Sequence, residues 1–213
     1  MSTITSFRQN STSGFLHSPA HATGDALVLT HGAGGNCQGT LLVAVADSFS
    51  SIGFTVLRCN LPFRQMRPFG PPFPAQAAED RRGLREAVAE MRRIVTGRIF
   101  LGGHSYGGRQ ASILAAEDPG VADALLLLSY PLHPPKKPEQ LRTAHFPNLR
   151  TPALFVQGTK DPFGTAEEIR SALDLIPAAT RLSIIEKAGH DLARGKFDVA
   201  ALVIKPFREI AHP

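Results

Sequence analysis

Residues 98 to 112 read Arg98-Ile99-Phe100-Leu101-Gly102-Gly103-His104-Ser105-Tyr106-Gly107-Gly108-Arg109-Gln110-Ala111-Ser112. A short apolar run leads into glycines, Ser105 stands between Gly103 and Gly107, and a helix-compatible segment from Arg109 to Glu117 follows. This is the G-x-S-x-G pattern in the strand–turn–helix context that gives the pattern its meaning. Glycines two residues from the serine permit a sharp turn that larger side chains would obstruct. If the turn forms, the Ser105 hydroxyl points out of the carboxyl end of a sheet.

A pattern this short also occurs in turns that merely join a strand to a helix, so only the rest of the chain can distinguish such a turn from one that presents a reactive serine. A second glycine-rich loop, His31-Gly32-Ala33-Gly34-Gly35-Asn36, follows the buried strand Ala26 to Thr30. Backbone N–H groups of Ala33 and Tyr106 are the predicted donors to an oxyanion beside Ser105. The alternative, a phosphate-binding loop, lacks both the G-x-G-x-x-G spacing and a Gly-Lys-Ser/Thr ending. We expect His31 to be a structural hydrogen-bonding residue of this loop.

Apolar runs and amphipathic segments alternate along the chain, which predicts an α/β fold with a mostly parallel central sheet and helices on both faces. We expect one domain spanning residues 1–213. The closing segment, Phe197 to Ile210, has a helical pattern that we expect Pro206 to interrupt. His17 and His21 lie in polar segments, which favours solvated positions over a metal site. The predicted strands are Ile4 to Arg8, Gly14 to His17, Ala26 to Thr30, Phe54 to Cys59, Ala122 to Tyr130, Thr151 to Gln157 and Arg181 to Glu186, and the predicted helices are Gly39 to Ser51, Gln76 to Val95 and Thr165 to Leu175.

The segment from Leu61 to Pro74 holds five prolines and three phenylalanines, so it is predicted to be neither a helix nor a central strand. It follows a strand, at the edge where open α/β sheets bind ligands. It is either a surface crossover or a pocket wall in which Arg64 or Arg67 meets a carboxylate. Only about twenty residues separate Tyr130 from the next strand, so we expect a minimal lid or none, and an open or shallow site.

Composition indicates an ordinary globular protein: of 213 residues, 43% are hydrophobic and 19% are charged. A net charge of +5 allows nucleic-acid binding, but the arginines are scattered with few aromatic residues between them, so we expect none. An acidic substrate is a milder alternative. Cys37 and Cys59 do not suggest a disulfide scaffold, and neither a signal peptide nor an apolar run of membrane-spanning length is evident. We therefore expect a cytoplasmic protein without membrane contact, metal or cofactor.

Three chemically suited residues follow three different segments of strand character: Ser105, Asp161 and His190. Their order is nucleophile, acid, histidine, as expected for this type of sheet. A serine hydroxyl needs an adjacent base, and the base needs a carboxylate that orients it. We expect His104 to be structural, because neighbours on a tight turn point apart. Asp191 is a poorer orienting acid than Asp161, because it lies on the same loop as His190.

The chain resembles the α/β-hydrolase superfamily, and within it the small, nearly lidless dienelactone-hydrolase-like group that includes KANSL-subunit and testis-expressed hydrolase-like proteins. The resemblance spans roughly Ala26 to the C-terminus. One departure is that dienelactone hydrolases proper use a cysteine nucleophile, whereas this chain has Ser105. The motifs that carry the resemblance are His31 to Gly35, Gly102 to Arg109, Val156 to Gly164 and Gly189-His190-Asp191.

The resemblance and the residues together imply a serine hydrolase that cleaves an ester, thioester or related acyl bond of a small molecule. Phe163 and Leu132 are candidate walls of the acyl pocket, and each is equally plausible as a packing residue. The alternative is a catalytically quiet binding or assembly protein, since the group includes members of complexes. The intact set of Ser105, Asp161 and His190 argues against that alternative. The sequence leaves the oligomeric state open.

Overall fold

An eight-stranded sheet organises residues 2–211, which are the residues that the structure, a computed structural model, describes. The spatial order is β1-β2-β4-β3-β5-β6-β7-β8. β1 and β2 pair antiparallel with each other and β2 pairs antiparallel with β4, whereas all pairs from β4 to β8 are parallel. The strands are β1 Thr3–Gln9, β2 Thr12–Ser18, β3 Ala26–Thr30, β4 Thr55–Cys59, β5 Ile99–His104, β6 Ala124–Leu128, β7 Ala153–Gly158 and β8 Thr180–Ile185.

Helices cover both faces of this sheet, as predicted. Phe49 of α1 and Phe207 of α6 belong to the apolar core on one face, and Leu84 of α3 and Leu114 of α4 belong to the core on the other. The central parallel strands are buried on both sides, which is why they read as continuous apolar runs in the sequence. The helices are α1 Thr40–Ser51, α2 Pro62–Met66, α3 Ala77–Arg92, α4 Tyr106–Glu117, α5 Ala166–Leu173 and α6 Lys205–Ala211.

The prediction of no helix between Leu61 and Pro74 was wrong for its first part, where α2 forms. Pro62 occupies the first turn of α2, where its missing N–H and fixed φ are tolerated. The N–H of Phe63, which has no partner within the helix, donates to the carboxylate of Asp80 on α3 at 3.0 Å. A long-range contact therefore holds a short helix that its own sequence does not favour. The remainder, 67–73, is a loop as predicted.

The C-terminal helical segment is irregular, but its irregularity precedes the proline. A π-helical turn, Ala200–Ile204, leads into α6, and Pro206 lies in the first turn of α6. Helical residues precede Pro206 without a break, so its missing N–H removes a bond of the helix and its ring crowds the carbonyl of Leu202, which belongs to this π-helical turn.

His17 is fully buried in β2, so the prediction of a solvated position was wrong. Arg58 Nε donates to its Nε2 at 2.7 Å, and its Nδ1 lies 3.1 Å from the Asp47 carboxylate. Burial lowers the pKa of His17, which favours the neutral ring that accepts from Arg58. Pairing of β2 with β4 and the packing of α1 cover this position, and neither is visible in the local sequence.

The parallel strands all present their carboxyl ends at one edge of the sheet, and the predicted site residues lie there. β5 ends at His104, β7 ends at Gly158, and the loop that holds His190 follows β8. The segment between β6 and β7 contains only the short 3₁₀ turn Phe146–Asn148, so any cover over this edge is small. Within residues 2–211, none of the helices has the length and apolarity needed to cross a membrane.

Candidate active site

Ser105 occupies a strained turn between β5 and α4, with φ 52° and ψ −117°. Non-glycine residues rarely adopt a positive φ, and such strain is typical of functional sites. The Ser105 N–H donates to the Leu128 carbonyl at 2.8 Å, and the Ser105 carbonyl accepts from the Arg109 N–H at 2.9 Å. These two hydrogen bonds, to β6 and to α4, hold the serine in this conformation.

Two glycines make this turn possible by leaving out side chains. A Cβ on Gly103 would lie 2.8 Å from the Thr30 carbonyl oxygen, and a Cβ on Gly107 would lie 2.5 Å from the His31 carbonyl oxygen. Both distances are shorter than real Cβ contacts, and backbone atoms cannot rotate away as a side chain can. The two glycines of the motif are therefore required by the close approach of β3 and its following loop.

The structure brings Ser105, His190 and Asp161 into one hydrogen-bonded chain. Ser105 Oγ lies 2.7 Å from His190 Nε2, and His190 Nδ1 lies 2.8 Å from Asp161 Oδ2 and 3.0 Å from Oδ1. The Asp161 side chain is fully buried, whereas that of His190 is 22% exposed. Asp161 Oδ1 also accepts the Phe163 N–H at 2.9 Å, which fixes the carboxylate. A proton on Nδ1 directed at Asp161 leaves Nε2 free to accept the serine proton.

Asp191 and His104, the two residues set aside in the sequence, serve the surrounding backbone. Asp191 is exposed and accepts from the Ala193 N–H at 3.1 Å, so Asp161 and not Asp191 faces His190 Nδ1. His104 Nε2 donates to the His190 carbonyl at 2.7 Å. Burial lowers the pKa of His104 and keeps its ring neutral. His104 therefore anchors the loop that carries His190.

The loop after β3 places Ala33 beside the serine turn, in the same cavity as Ser105 and Tyr106. The hydrogen bonds of residues 2–211 include none that the N–H of Ala33 or of Tyr106 donates to another protein group. The Tyr106 N–H lies at the start of α4, where the helix dipole favours negative charge. Both groups are thus free to bind an oxygen anion.

His31 fastens this loop, as predicted. Its Nδ1 donates to the Gly32 carbonyl at 2.9 Å and its Nε2 accepts the Leu61 N–H at 3.2 Å. Burial lowers the pKa of His31 to about 4, so the neutral ring that both bonds require is present at neutral pH.

Arg64 does not face the cavity, and its predicted contact with a substrate carboxylate has no support in the geometry. The side chain is buried and its guanidinium donates to four main-chain carbonyls. These acceptors fix the loop after β3 to the proline-rich segment, so the charge has a structural use. They are Gly35 at 2.7 Å, Ala33 at 2.9 Å, Gly70 at 2.9 Å and Arg67 at 3.1 Å.

The cavity that contains Ser105 has a volume of about 530 Å³, within the size range of small-molecule sites. Phe163 and the segment Pro71-Pro72-Phe73-Pro74 form its walls, so part of the proline-rich stretch is a pocket wall. The Phe163 ring lies over His190 with 4.2 Å between ring centroids. A separate cavity of about 340 Å³ lies by His31 and His104 and does not include Ser105.

Two further predicted pocket residues, Arg67 and Leu132, are not among the residues that line this cavity. The Arg67 guanidinium lies 4.3 Å from the centre of the Phe73 ring and donates to the Pro71 carbonyl, so it supports the wall from outside. Leu132 is buried and lies instead at an apolar groove against α5.

Three charged residues at the site were not predicted from the sequence. Arg109 and Arg142 line the cavity, and Asp80 accepts the Tyr106 hydroxyl at 2.7 Å. Arg109 lies four residues after Ser105 on a helix, a spacing that could have indicated its position one turn from the serine. No sequence signal brings Arg142 or Asp80 to this edge. Within the described part of the chain, no group of three or more His, Cys, Asp or Glu side chains is arranged to hold a metal ion.

Known proteins share this architecture. The dienelactone hydrolase of Anabaena variabilis is 20% identical, with a TM-score of 0.72 over 99% of this chain and 96% of that one. A lidless α/β serine hydrolase from Xanthomonas campestris is 17% identical, with a TM-score of 0.72 over 98% and 95%. Est1E of Butyrivibrio proteoclasticus, solved with ferulic acid bound, is 17% identical, with a TM-score of 0.74 over 96% of each chain.

These likenesses concern the fold, and a family model gives the membership. The model of an alpha/beta hydrolase domain matches residues 23–201, which include both glycine-rich loops and all three residues of the Ser105–His190–Asp161 chain. The protein therefore belongs to the α/β-hydrolase domain family.

Proposed function

We propose that this protein is a serine hydrolase that cleaves an ester, thioester or related acyl bond of a small molecule through an acyl-enzyme intermediate. The observation that carries the proposal is the chain of hydrogen bonds from Ser105 Oγ to His190 Nε2 at 2.7 Å and from His190 Nδ1 to Asp161 Oδ2 at 2.8 Å. A protein that only binds or assembles has no need for this arrangement beside an open cavity.

In the first half-reaction His190 Nε2 takes the proton of Ser105 as Oγ bonds to the substrate carbonyl carbon. The carbonyl oxygen becomes an anion that accepts from the N–H groups of Ala33 and Tyr106. Asp161 holds the tautomer of His190 and stabilises its cation. His190 then gives its proton to the leaving oxygen or sulfur as that bond breaks, and the acyl group stays on Ser105.

In the second half-reaction a water molecule replaces the leaving group. His190 takes a proton from the water as its oxygen bonds to the acyl carbon, and then returns the proton to Ser105 Oγ as the acyl bond breaks. The 22% exposure of the His190 side chain is consistent with access of water to this position. The products are the free acid and the original serine.

A fluorophosphonate probe tests whether Ser105 is an activated nucleophile. We expect the probe to label the wild-type protein and to leave Ser105→Ala unlabelled, while both unfold at similar temperatures. Hydrolysis of p-nitrophenyl acetate should fall by about 10⁴-fold or more in the variant. Folded wild-type protein that the probe does not label would favour the catalytically quiet alternative.

A matched pair of aspartates tests the roles of Asp161 and Asp191. Asp161→Asn should lower kcat by about 10⁴-fold, because an amide cannot hold the required tautomer of His190. Asp191→Asn, on the same loop as His190 and exposed, should stay within about threefold of wild type, since its carboxylate bonds the Ala193 N–H and pairs with the exposed Arg194. Equal losses in both variants would contradict the assignment of Asp161.

A panel of p-nitrophenyl esters and acyl thioesters of increasing chain length would define the acyl group. The cavity of about 530 Å³ favours small substrates, so we expect activity to decline for long acyl chains.

A further inference from the structure

We propose that the Ser105 cavity binds substrates that carry a carboxylate in addition to the acyl bond that is cleaved, and that Arg109 and Arg142 recognise this carboxylate. The inference rests on the proposed serine hydrolase function and narrows its substrate class. It concerns a part of the cavity that the catalytic residues do not use.

The two arginines reach the cavity from different elements. Arg109 lies on α4, and its N–H donates to the Ser105 carbonyl, so its backbone is one helical turn, about 5.4 Å, from the nucleophile. Arg142 lies between β6 and β7, and its N–H and carbonyl are both bonded, to Leu132 O at 2.8 Å and to the Tyr130 hydroxyl at 2.7 Å. Both side chains are half-buried. The backbone positions of both arginines are therefore fixed by the fold.

Neither arginine is neutralised by the protein. Among the described residues, 2–211, no ion pair joins either guanidinium to a carboxylate, and the buried Arg109 Nε has no hydrogen-bond partner. The Arg142 guanidinium donates to one group, the Pro131 carbonyl at 3.3 Å. Burial and the charge of Arg109 both lower the pKa of Arg142, which indicates that the two cations lie near each other.

Two polar side chains beside this pair, Tyr130 and His145, are neutral, and the neighbouring carboxylate is bonded to other groups. Burial raises the pKa of Tyr130, which lies beside Arg109, so its hydroxyl is neutral. Burial and the positive charge of Arg109 lower the pKa of His145 to about 4, so it is neutral as well. The neighbouring Asp80 carboxylate accepts from the Phe63 N–H and the Tyr106 hydroxyl. A substrate anion is the partner that this arrangement lacks.

A carboxylate of the substrate fits this pair of arginines. Guanidinium groups bind carboxylates with paired N–H donors, and their charge counts for more in a partly buried site. The residues that line the cavity include no lysine, and the walls of prolines and Phe163 suit a short carbon chain between the carboxylate and the scissile bond. Half-esters of dicarboxylic acids and acyl esters of hydroxy acids have this form.

Matched substrate pairs test the proposal. Monoethyl succinate, glutarate and adipate are compared with the ethyl esters that carry a primary amide in place of the carboxylate. 4-Acetoxybutanoate is compared with 4-acetoxybutanamide, so that the charge lies on the leaving group. For each pair we measure the ratio of kcat/KM for the charged substrate to that for the neutral one, at pH 7.5 and low salt. We expect the wild-type protein to favour the charged member at least about tenfold, either among the monoethyl esters or in the acetoxybutanoate pair.

Substitutions assign that preference to the arginines. Arg109→Gln and Arg142→Gln should each lower the ratio by about tenfold or more, and Arg109→Lys should retain part of it. Arg170→Gln removes an exposed charge on α5, outside the cavity, and should keep the wild-type ratio. Thermal unfolding of each variant controls for loss of the fold. A wild-type protein without the preference, or a ratio unchanged in both cavity variants, would overturn the proposal.

A binding measurement separates this proposal from the proposed function. Titration of Ser105→Ala with glutarate by calorimetry should show binding that Arg109→Gln abolishes in the same background. Binding of this kind without Ser105-dependent hydrolysis would leave the carboxylate site standing and refute the hydrolase. Ser105-dependent hydrolysis without a charge preference, and without glutarate binding, would refute the carboxylate site and leave the proposed hydrolase function standing.

Discussion

Replacing Asp80 by alanine tests how the serine turn is held in place. The Asp80 carboxylate is fully buried and accepts two hydrogen bonds, from the Phe63 N–H at 3.0 Å and from the Tyr106 hydroxyl at 2.7 Å. Phe63 belongs to α2, Asp80 to α3 and Tyr106 to the start of α4, directly after Ser105. One carboxylate therefore connects the turn at Ser105 to α2 and α3.

The magnitude follows from the two donors that the substitution leaves without an acceptor. A buried donor without an acceptor costs about 1–3 kcal/mol, so Asp80→Ala should lose about 2–6 kcal/mol before compensation. Burial raises the pKa of Asp80, which means that the carboxylate was itself desolvated at a cost that alanine relieves. We expect a net loss of about 2–4 kcal/mol, or roughly 5–15 °C in Tm for a chain of this length.

Urea unfolding followed by circular dichroism measures the loss, with kcat for an ester measured on the same samples. Tyr106→Phe should lose about 1–2 kcal/mol, and the double variant with Asp80→Ala should lose about 1–2 kcal/mol less than the sum of the single variants. Glu79→Ala is the matched control: it removes a neighbouring, partly exposed carboxylate that pairs with Arg82, and should lose less than about 1 kcal/mol. A loss for Asp80→Ala no greater than the control, or strict additivity in the double variant, would refute this reasoning.

Two further predictions concern the serine turn and the loop after β3. Gly103→Ala should lower the free energy of unfolding by about 1–3 kcal/mol and remove most of the proposed esterase activity, because its Cβ would press on backbone atoms. The control is Gly120→Ala, whose Cβ would have its nearest neighbour at 3.7 Å and which should have little effect in the same unfolding and activity assays. The pKa of His31 is lowered to about 4 in the fold, so below pH 6.5 the unfolded chain binds a proton that the folded chain does not. Stability should therefore fall as pH drops from 6.5 towards 4, by about 2 kcal/mol for His31 at pH 5. Unfolding curves should show that His31→Gln removes this part of the pH dependence, whereas His21→Gln, at an exposed position, keeps it. If the free energy of unfolding of wild type and of His31→Gln changed equally with pH, the assignment to His31 would be wrong.

The sheet was predictable because its central strands are buried on both faces. Runs such as Ala26–Thr30 and Ala124–Leu128 are fully apolar or nearly so, and that pattern has few other interpretations. The predictions failed where a distant residue changes the local preference. α2 forms because Asp80 binds the Phe63 N–H, and His17 is buried because Arg58 and α1 surround it. The sequence around Phe63 does not indicate Asp80 as its partner, and the sequence around His17 does not indicate Arg58 or α1.

The same distinction separates the predicted and unpredicted parts of the site. Ser105, Asp161 and His190 each follow a strand, and strands of a parallel sheet end at one edge, so topology alone brings them near one another. Arg64 shows the limit of this reasoning. It lies in the correct segment, but its direction depends on four carbonyl acceptors that only the folded loops bring together. Arg142 reaches the cavity through a segment without regular structure, for which the sequence predicts no direction.

His104 and Tyr106 flank Ser105 in sequence and hold it from opposite sides. Because neighbours on the turn point apart, Tyr106 reaches Asp80 while His104 donates to the His190 carbonyl, so one three-residue turn is bonded both to α3 and to the loop that carries His190. The His104 ring lies 5.2 Å from the His190 ring, which becomes a cation in the proposed acyl transfer. A second cation at that distance would oppose the change. Burial lowers the pKa of His104, so the residue that anchors His190 also stays neutral beside it.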